Sequence, residues 1–193
     1  MEYILEIPNN IPPGKCKEII KRYEDDTRKQ PGVAGSSGEV HPIKKSTDLG
    51  ISGLGDWQDI DNYLYKKLRE ATIQYKKHIT EIGCDINFGP TCEDTGYQIQ
   101  KTVEGQYYGW HNDSMISGNR FITFIWYLTT HDPVKDGGGT GFHPNCGGGK
   151  IITPEEGKLI FFPATWTYLH MGFPLITKRP KYIITGWLSS PDV

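Results

Sequence analysis

A change of hydrophobic period near Gly83 constrains the fold more than any other feature of this sequence. Before this point, apolar residues recur every three or four positions along one long segment, which predicts a helix with a single buried stripe. This helix is predicted to begin at Asp56, a good N-cap residue, and a shorter helix is predicted to begin at Pro12-Pro13. The predicted stripe consists of Trp57, Ile60, Leu64, Leu68, Ala71, Tyr75, Ile79 and Ile82.

After Gly83 the chain contains short runs of aromatic and β-branched residues, which favour strands, separated by clusters of Gly, Pro, Asp and Asn, which favour turns. No helical period lies between these runs, so an antiparallel sandwich or barrel is predicted rather than a parallel α/β sheet. The predicted fold class is therefore mainly β, with helices that buttress a β-core. The strand-like runs are residues 97–102, 121–129, 158–162 and 182–188.

The length of 193 residues suits one domain, in which residues 1–83 form a helical buttress with outer strands and residues 84–193 form the β-core. No apolar run approaches the roughly 18 residues of a membrane span, and the N-terminus lacks the pattern of a secretion signal. The four cysteines form no CxxC pair and are predicted to be free thiols. These features predict a cytoplasmic protein, and its net charge of −2 provides no basic field for nucleic acid.

His111-Asn112-Asp113 is the first motif with chemical content. Side chains two residues apart on an extended segment point the same way, so His111 and Asp113 can reach one metal ion. His170 is the best candidate for a third ligand, because two imidazoles and one carboxylate suit Fe(II) with open coordination positions. His143 is a rival ligand. Six histidines and 23 acidic residues give about 0.7 chance matches to the motif, so a solvated turn is the alternative interpretation.

Three cations follow His170 on a turn that leads into the last predicted strand. A dicarboxylate co-substrate that chelates iron at one end needs a fixed cation for its far carboxylate, because an unpaired buried charge is costly. Lys181 opens the strand and is best placed to point inward, whereas Lys178 and Arg179 are predicted to lie on the solvated turn. The alternatives are that Arg179 takes the inward position or that Lys181 is an ordinary surface lysine.

The β-type half also contains a series of short pieces in a fixed order: Gln-Ile-Gln (98–100), Gly-Gln-Tyr-Tyr-Gly-Trp-His-Asn-Asp (105–113), Arg-Phe-Ile-Thr (120–123), Gly-Gly-Thr-Gly-Phe (138–142), Pro-Glu-Glu-Gly (154–157), Phe-Phe-Pro (161–163), His-Met-Gly-Phe-Pro (170–174) and Lys-Tyr (181–182). This order resembles the prolyl-4-hydroxylase-type branch of the 2-oxoglutarate/Fe(II) dioxygenases over about half of the chain. The compact helical lead-in and the Gly-rich loops are similar to small members encoded by phages and bacteria.

The resemblance implies a double-stranded β-helix, the jelly roll of the cupin type, with Fe(II) at its open mouth. It implies an enzyme that hydroxylates a peptidyl proline or another amino-acid side chain, with 2-oxoglutarate and O2 as co-substrates, succinate and CO2 as products, and ascorbate as a reductant. By matched position, the implied iron ligands are His111, Asp113 and His170. The residues implied around 2-oxoglutarate are Lys181 (for the C5 carboxylate), Thr123, Tyr108, Trp187 and Thr102.

Two departures from the family pattern affect these assignments. Many members have a tyrosine at the position of Thr102, whose hydroxyl contacts 2-oxoglutarate, and a threonine is too short to reach as far. Tyr97 or Gln100 is a candidate to compensate. The turn between His170 and Lys181 is also one residue longer than in many relatives, which keeps the alternative cation open.

Other functions stay open at the level of the sequence. One is the same chemistry on a free small molecule; another is a nucleic-acid demethylase, which would carry a second arginine six residues after the first basic ligand, where this chain has Trp187. A non-catalytic β-sandwich binding module is the alternative from another class. The carboxylate of Asp113 favours hydroxylation, because related halogenases have a small residue there that admits halide. The sequence gives no prediction of the oligomeric state.

Loops around the mouth are predicted to determine the substrate, and residues 28–55 and 131–150 are the segments placed to cover it. The glycine triplets at 137–139 and 147–149 do not continue into the GK[ST] pattern of a phosphate-binding loop, so both are predicted to be turns. Three histidines are predicted to be surface residues, namely His41, His78 and His131.

Overall fold

The computed structural model describes residues 3–33, 42–84, 92–114 and 119–190, and within these ranges the chain forms two α-helices and twelve β-strands. Neither of the described helices is long and apolar enough to cross a lipid bilayer. The helices are α1 (Pro13–Asp25) and α2 (Gln58–Glu81). The strands are β1 (Leu5–Ile7), β2 (Gln30–Pro31), β3 (Thr47–Gly50), β4 (Glu93–Asp94), β5 (Gln98–Thr102), β6 (Tyr108–His111), β7 (Arg120–Tyr127), β8 (Thr140–His143), β9 (Cys146–Ile152), β10 (Leu159–Pro163), β11 (His170–Gly172) and β12 (Lys181–Ser189).

Helix α2 confirms the predicted apolar stripe but begins later than predicted. Gly55–Trp57 forms a separate 3-10 turn, and α2 starts at Gln58 without a side-chain cap. Asp56 does not act as the N-cap, because its carboxylate accepts hydrogen bonds from Arg28 at 3.1 and 2.6 Å instead. The buried residues of the helix are Ile60, Leu64, Leu68, Ala71, Tyr75 and Ile79.

Helix α1 begins at Pro13, as the Pro-Pro pair predicted, because a proline in the first turn of a helix loses no internal hydrogen bond. Its buried side is formed by Cys16, Ile19 and Tyr23. The Tyr23 hydroxyl donates a hydrogen bond to the Thr47 carbonyl oxygen at 2.8 Å, so α1 is joined directly to β3.

The strands form two antiparallel sheets. The larger sheet has the order β1-β10-β7-β12-β5-β3-β2, with β4 also paired to β12, and the smaller sheet has the order β6-β11-β8-β9. Neighbours in each sheet are mostly distant in sequence, because the chain passes repeatedly from one sheet to the other. This is a double-stranded β-helix flanked by helices, so the predicted fold class is confirmed.

Strand β7 contributes to two separate cores. Phe124 and Trp126 lie in the core beneath the helices, whereas Ile125 and Tyr127 lie in the core between the sheets. This division follows from the alternation of side chains along a strand. Because each large apolar side chain contributes about 1.5–3 kcal/mol when buried, the two cores together hold the larger sheet in place between the helices and the smaller sheet.

The two glycine triplets differ in structure. The turn lies just before the first triplet, at residues 133–136, and Gly137, which is bridged to Leu175, and Gly138 have positive φ angles of 74° and 73°. A Cβ atom at Gly137 would lie 2.1 Å from the Pro174 carbonyl oxygen, so only glycine fits there. Residues 147–149 lie within β9, and the prediction of a turn there was wrong.

The surface prediction for the histidines was wrong for His131. This side chain is fully buried, its backbone N–H donates to the Pro154 carbonyl oxygen at 3.0 Å, and its ring Nε2 lies 3.2 Å from the Thr129 hydroxyl oxygen. The sequence around it is polar and gave no sign of burial. His78 is partly exposed on α2, and His41 lies outside the described residues.

Candidate active site

Two paired strands of the smaller sheet carry the two histidines. His111 is the last residue of β6 and His170 the first of β11, and the two are directly opposite each other in the antiparallel register. Asp113 follows β6 and is held by its backbone N–H, which donates to the Ala164 carbonyl oxygen at 3.0 Å. Side chains opposite each other on one face of a sheet are close neighbours, so strand pairing alone brings the two imidazoles together.

The three predicted ligands converge on one point. The distance from His111 Nε2 to Asp113 Oδ1 is 3.6 Å, and that from His170 Nε2 to Asp113 Oδ2 is 3.5 Å. One ligand atom from each residue lies within 4.8 Å of the other two. Among the described residues, this is the one cluster of His, Cys, Asp or Glu side chains with the spacing of a metal site.

Backbone carbonyls fix the orientation of both imidazole rings. His111 Nδ1 lies 2.8 Å from the Gly109 carbonyl oxygen, and His170 Nδ1 lies 3.0 Å from that of Tyr168. A carbonyl oxygen can only accept a hydrogen bond, so Nδ1 is the donor in each ring and Nε2 is the atom left for a metal. Both Nε2 atoms face the shared centre.

The charges of the cluster suit a divalent cation. Burial, followed by the neighbouring His170, lowers the pKa of His111, so this ring is neutral. Burial acts to raise the pKa of Asp113, but the two imidazoles and the Thr123 hydroxyl outweigh it, and the net shift is downward. Thr123 donates its proton to Asp113 Oδ2 at 2.6 Å. Two neutral imidazoles and one carboxylate are a donor set that suits Fe(II) with open positions.

A cavity of about 250 Å³ extends from the cluster between the two sheets. Lys181 lines it and is only 5% exposed. Its ammonium donates to the Gly138 carbonyl oxygen at 2.7 Å, and no carboxylate among the described residues forms an ion pair with it. Burial lowers the pKa of Lys181 to about 8. A buried cation without a counter-ion fits an anionic group in the cavity.

The other two cations of the same turn lie elsewhere. Lys178 and Arg179 are exposed, and the Arg179 guanidinium pairs with Asp136 at 2.9 Å. Only Lys181 of the three lines the cavity. The structure therefore places the predicted cation inward and its predicted alternative at the surface.

Thr102 stands where many family members have a tyrosine, and the cavity wall around it is nevertheless polar. Thr102 lies opposite Lys181 in the register of β5 and β12, and both line the cavity. Gln100 lines the cavity as well, and its amide donates to Gln98 at 2.7 Å. Tyr97 packs in the core beneath the helices. Of the two residues considered as substitutes, Gln100 is therefore the one that can reach a ligand.

Aromatic side chains flank the cluster on two sides. The Tyr108 ring stacks on His111 with 3.6 Å between ring centroids and an angle of 15° between planes. Trp187 lies on the other side, with the Arg120 guanidinium 3.6 Å from its ring centroid. Its indole N–H lies near enough to Asp113 to lower the pKa of that carboxyl. The rival ligand His143 lies outside the cluster.

Four charged side chains near the cavity had no predicted role. Arg120, Lys44 and Lys45 line the cavity, and Lys44 forms a buried ion pair with Asp48 at 2.6 Å. The sequence signalled the arginine only as part of the family-like run at 120–123. The Lys–Asp pair precedes the β-core in sequence and carried no recognisable motif.

Comparisons with known proteins agree with this geometry. Residues 97–189 match the family described as the 2OG-Fe(II) oxygenase superfamily. A search among curated proteins found no match. Among solved structures, the chain is similar to a prolyl hydroxylase from Trichoplax adhaerens in complex with a peptide fragment of the hypoxia inducible factor oxygen degradation domain, with 17% identity, a TM-score of 0.78, and coverage of 98% of this chain and 84% of that one.

Two further structures are similar over nearly the whole chain. A Pseudomonas putida prolyl-4-hydroxylase has 18% identity and a TM-score of 0.73, covering 100% of this chain and 95% of that one. The viral collagen prolyl hydroxylase of Paramecium Bursaria Chlorella virus-1, in its 2OG complex, has 20% identity and a TM-score of 0.66, covering 98% and 97%. Residues 97–189 of this chain therefore match the 2OG-Fe(II) oxygenase superfamily, which supports an enzyme of that kind, and the chain has the fold of the prolyl hydroxylases.

Proposed function

We propose that this enzyme hydroxylates a peptidyl proline or another amino-acid side chain, with Fe(II) held by His111, Asp113 and His170. The convergence of these three side chains is the observation that carries the proposal. When bound, the metal and 2-oxoglutarate supply O2 activation and oxygen insertion into a C–H bond, with succinate and CO2 as products. Ascorbate would serve to keep the iron reduced.

The other residues around the cavity would bind the co-substrate, support Asp113 and exclude water. Lys181 would bind the far carboxylate of 2-oxoglutarate, since it is the buried cation without a counter-ion. Thr123 would hold Asp113 in a fixed rotamer, because its hydroxyl proton is already donated to that carboxylate. Gln100 and Thr102 would provide polar contacts along the co-substrate. Tyr108 and Trp187 would exclude water from the two sides of the cluster.

Arg120 is the residue best suited to contact a peptide. It lines the cavity, lies against Trp187, and its Nε–H has no acceptor among the described residues. The cavity lining leaves no other carboxylate for Arg120, because Asp113 is the one carboxylate among the described residues that line it and faces the metal position. A guanidinium with a free donor fits the carbonyl oxygen of a peptide. The peptide complex of the Trichoplax relative agrees with a substrate of this class.

The proposal is tested by adding Fe(II), ascorbate, 2-oxoglutarate and a set of proline-containing peptides to the purified chain. Succinate should form, and one peptide should gain the mass of one oxygen atom. In Arg120→Gln the KM for that peptide should rise about tenfold or more, because a hydrogen bond to a charged group contributes about 1.5–3 kcal/mol, while the KM for 2-oxoglutarate stays unchanged.

Three outcomes would contradict the proposal in different ways. Oxygen insertion only into a free small molecule would assign the same chemistry to another substrate class. Oxygen insertion into a nucleic-acid base would identify a demethylase. Absence of succinate above background in every mixture would indicate a non-catalytic module.

The affinity for 2-oxoglutarate is expected to depend on pH through Lys181. Only the protonated amine attracts a carboxylate, and its pKa in the free protein is about 8. Affinity should therefore be constant below this pH and fall by about tenfold per unit above it, since one proton is taken up on binding. Calorimetric titration of Mn(II)-loaded protein between about pH 6.5 and about pH 9.5 measures this. Lys181→Arg should bind independently of pH, because arginine stays charged; a wild-type profile without a slope would contradict the assignment.

A further inference from the structure

We propose that the Lys44–Asp48 ion pair is a positioning element of the metal centre, which holds the Tyr108 ring against the first imidazole ligand, His111. The inference rests on the proposed role of His111 as a ligand. Among the described residues, no hydrogen bond or ion pair joins either member to the three converging side chains, whereas the Tyr108 ring contacts both Lys44 and His111.

The ion pair is buried and its geometry is fully determined. Lys44 and Asp48 are 5% and 6% exposed, and the ammonium donates to Asp48 Oδ2 at 2.6 Å. The other carboxylate oxygen, Oδ1, accepts a hydrogen bond from the Ser46 hydroxyl at 2.7 Å. A buried ion pair is costly to desolvate and is weak evidence for stability alone. Its place in the wall of a catalytic cavity therefore calls for another explanation.

The Tyr108 ring is in contact with both the ammonium and the imidazole. Lys44 Nζ is 5.3 Å from the centroid of the Tyr108 ring, within the range of a cation–π interaction. His111 stacks on the same ring at 3.6 Å between centroids. The imidazole is thus fixed in two ways, at its edge by the Gly109 carbonyl and on its face by Tyr108. Contacts to a metal ligand from residues that do not bind the metal themselves set the orientation in which a histidine binds the metal.

The backbone places the lysine where this contact requires it. Lys44 and Tyr108 form an isolated antiparallel bridge, so the segment around residue 44 runs beside β6. The Gly109 N–H donates to the Ile43 carbonyl oxygen at 2.7 Å, and the Lys45 N–H donates to that of Tyr107 at 2.8 Å. The segment before β3 therefore acts as a strap across the strand that carries His111.

The strap is packed too closely to tolerate a larger neighbour. A Cβ atom at Gly32 would lie 2.2 Å from Ser46 Oγ, 3.0 Å from Asp48 Oδ2 and 3.0 Å from Lys44 Cε. The Gly32 N–H also donates to the Ser46 carbonyl oxygen at 2.9 Å. The absence of a side chain at residue 32 thus lets both partners and their supporting serine keep their positions.

The test replaces the pair by apolar side chains of similar length, in the double variant Lys44→Met with Asp48→Leu. This change is neutral in net charge, and such replacements commonly preserve stability. Titration with Co(II) should then show a dissociation constant about tenfold higher than that of the wild type, which is the lower end of what second contacts to a histidine ligand contribute. The d–d absorption of bound Co(II) should change as well, because the ligand geometry changes.

A matched control uses a second buried lysine pair that does not line the cavity. Lys158 pairs with Glu6 at 3.0 Å and with Glu155 at 2.8 Å, and Glu6 also pairs with Lys150. The variant Lys158→Met with Glu6→Leu should leave both the Co(II) affinity and the spectrum at wild-type values. A purely structural role of the Lys44 pair would give the same unchanged result for both double variants. That result would overturn the inference.

Variants of the ring test the same inference without altering the ion pair. Tyr108→Phe keeps the aromatic face and should bind Co(II) like the wild type, whereas Tyr108→Leu removes the face and should show the same tenfold loss. Combining Tyr108→Leu with the double variant should add nothing further, since both act through one contact. Wild-type affinity in Tyr108→Leu would refute the inference even if the double variant did not fold. Failure of the wild type to bind Co(II) would instead refute the proposed metal centre.

Discussion

Replacing Asp113 with alanine should abolish turnover and weaken metal binding by more than about 100-fold. Removing a residue that only supports a metal ligand lowers metal affinity by about 10- to 100-fold, and removing a ligand itself should lower it further. The carboxylate is the only charged donor in the cluster and lies 3.6 and 3.5 Å from the two imidazole nitrogens. Without it, two neutral imidazoles are left to hold a divalent cation. Equilibrium dialysis with Fe(II) under anaerobic conditions, followed by metal analysis, measures the loss.

A second aspartate separates this effect from a general loss of structure. The Asp26 side chain is 6% exposed and accepts hydrogen bonds from Trp57 and Arg28, far along the chain from the cluster. Asp26→Ala should lower thermal stability and leave the metal content unchanged. Retention of iron with wild-type affinity in Asp113→Ala would show that the cluster is not the metal centre.

Replacing Lys181 with alanine should raise the dissociation constant for 2-oxoglutarate by at least roughly 30-fold, while metal binding is kept. Truncating one partner of a buried, hydrogen-bonded charge pair costs about 2–5 kcal/mol, and every 1.4 kcal/mol is about tenfold. The effect is specific because Lys181 lines the cavity and is not part of the metal cluster. Calorimetric titration of 2-oxoglutarate into the Mn(II)-loaded wild type and into Mn(II)-loaded Lys181→Ala gives the two dissociation constants.

The neighbouring cation is the matched control. Arg179 is exposed and pairs with Asp136, and a surface ion pair of this kind contributes about 0–1 kcal/mol. Arg179→Ala should therefore leave 2-oxoglutarate binding unchanged. A large loss in Arg179→Ala together with little change in Lys181→Ala would mean that the wrong cation was chosen.

The fold class and the pairing of His111 with Asp113 could be predicted because both follow from local periodicity. The three- to four-residue spacing of the predicted stripe is a direct consequence of helix geometry, and the structure buries seven of its eight members, six of them within α2. The His-x-Asp spacing places His111 and Asp113 together for the same kind of reason. The partner His170 came from the resemblance and from the chemistry of the donor set, since no local rule connects residues so far apart.

The features that could not be predicted depend on contacts between distant segments. Asp56 has the right residue type for an N-cap, but Arg28, from a separate loop, pairs with its carboxylate. His131 lies in a polar sequence and is nevertheless buried. The Lys44–Asp48 pair looks like ordinary helical or surface spacing in the sequence. Its relation to the cavity follows from the β-bridge between Lys44 and Tyr108, two distant segments that both line it.

The glycine segment at 137–139 has a consequence for how this protein can change over evolution. Its backbone, rather than a side chain, receives the Lys181 ammonium, and Gly137 is bridged to Leu175 with no room for a Cβ atom. A single substitution changes a side chain and leaves the main-chain atoms in place. Few substitutions can therefore alter a surface of main-chain atoms gradually. The position of the Lys181 ammonium at the Gly138 carbonyl is therefore resistant to drift.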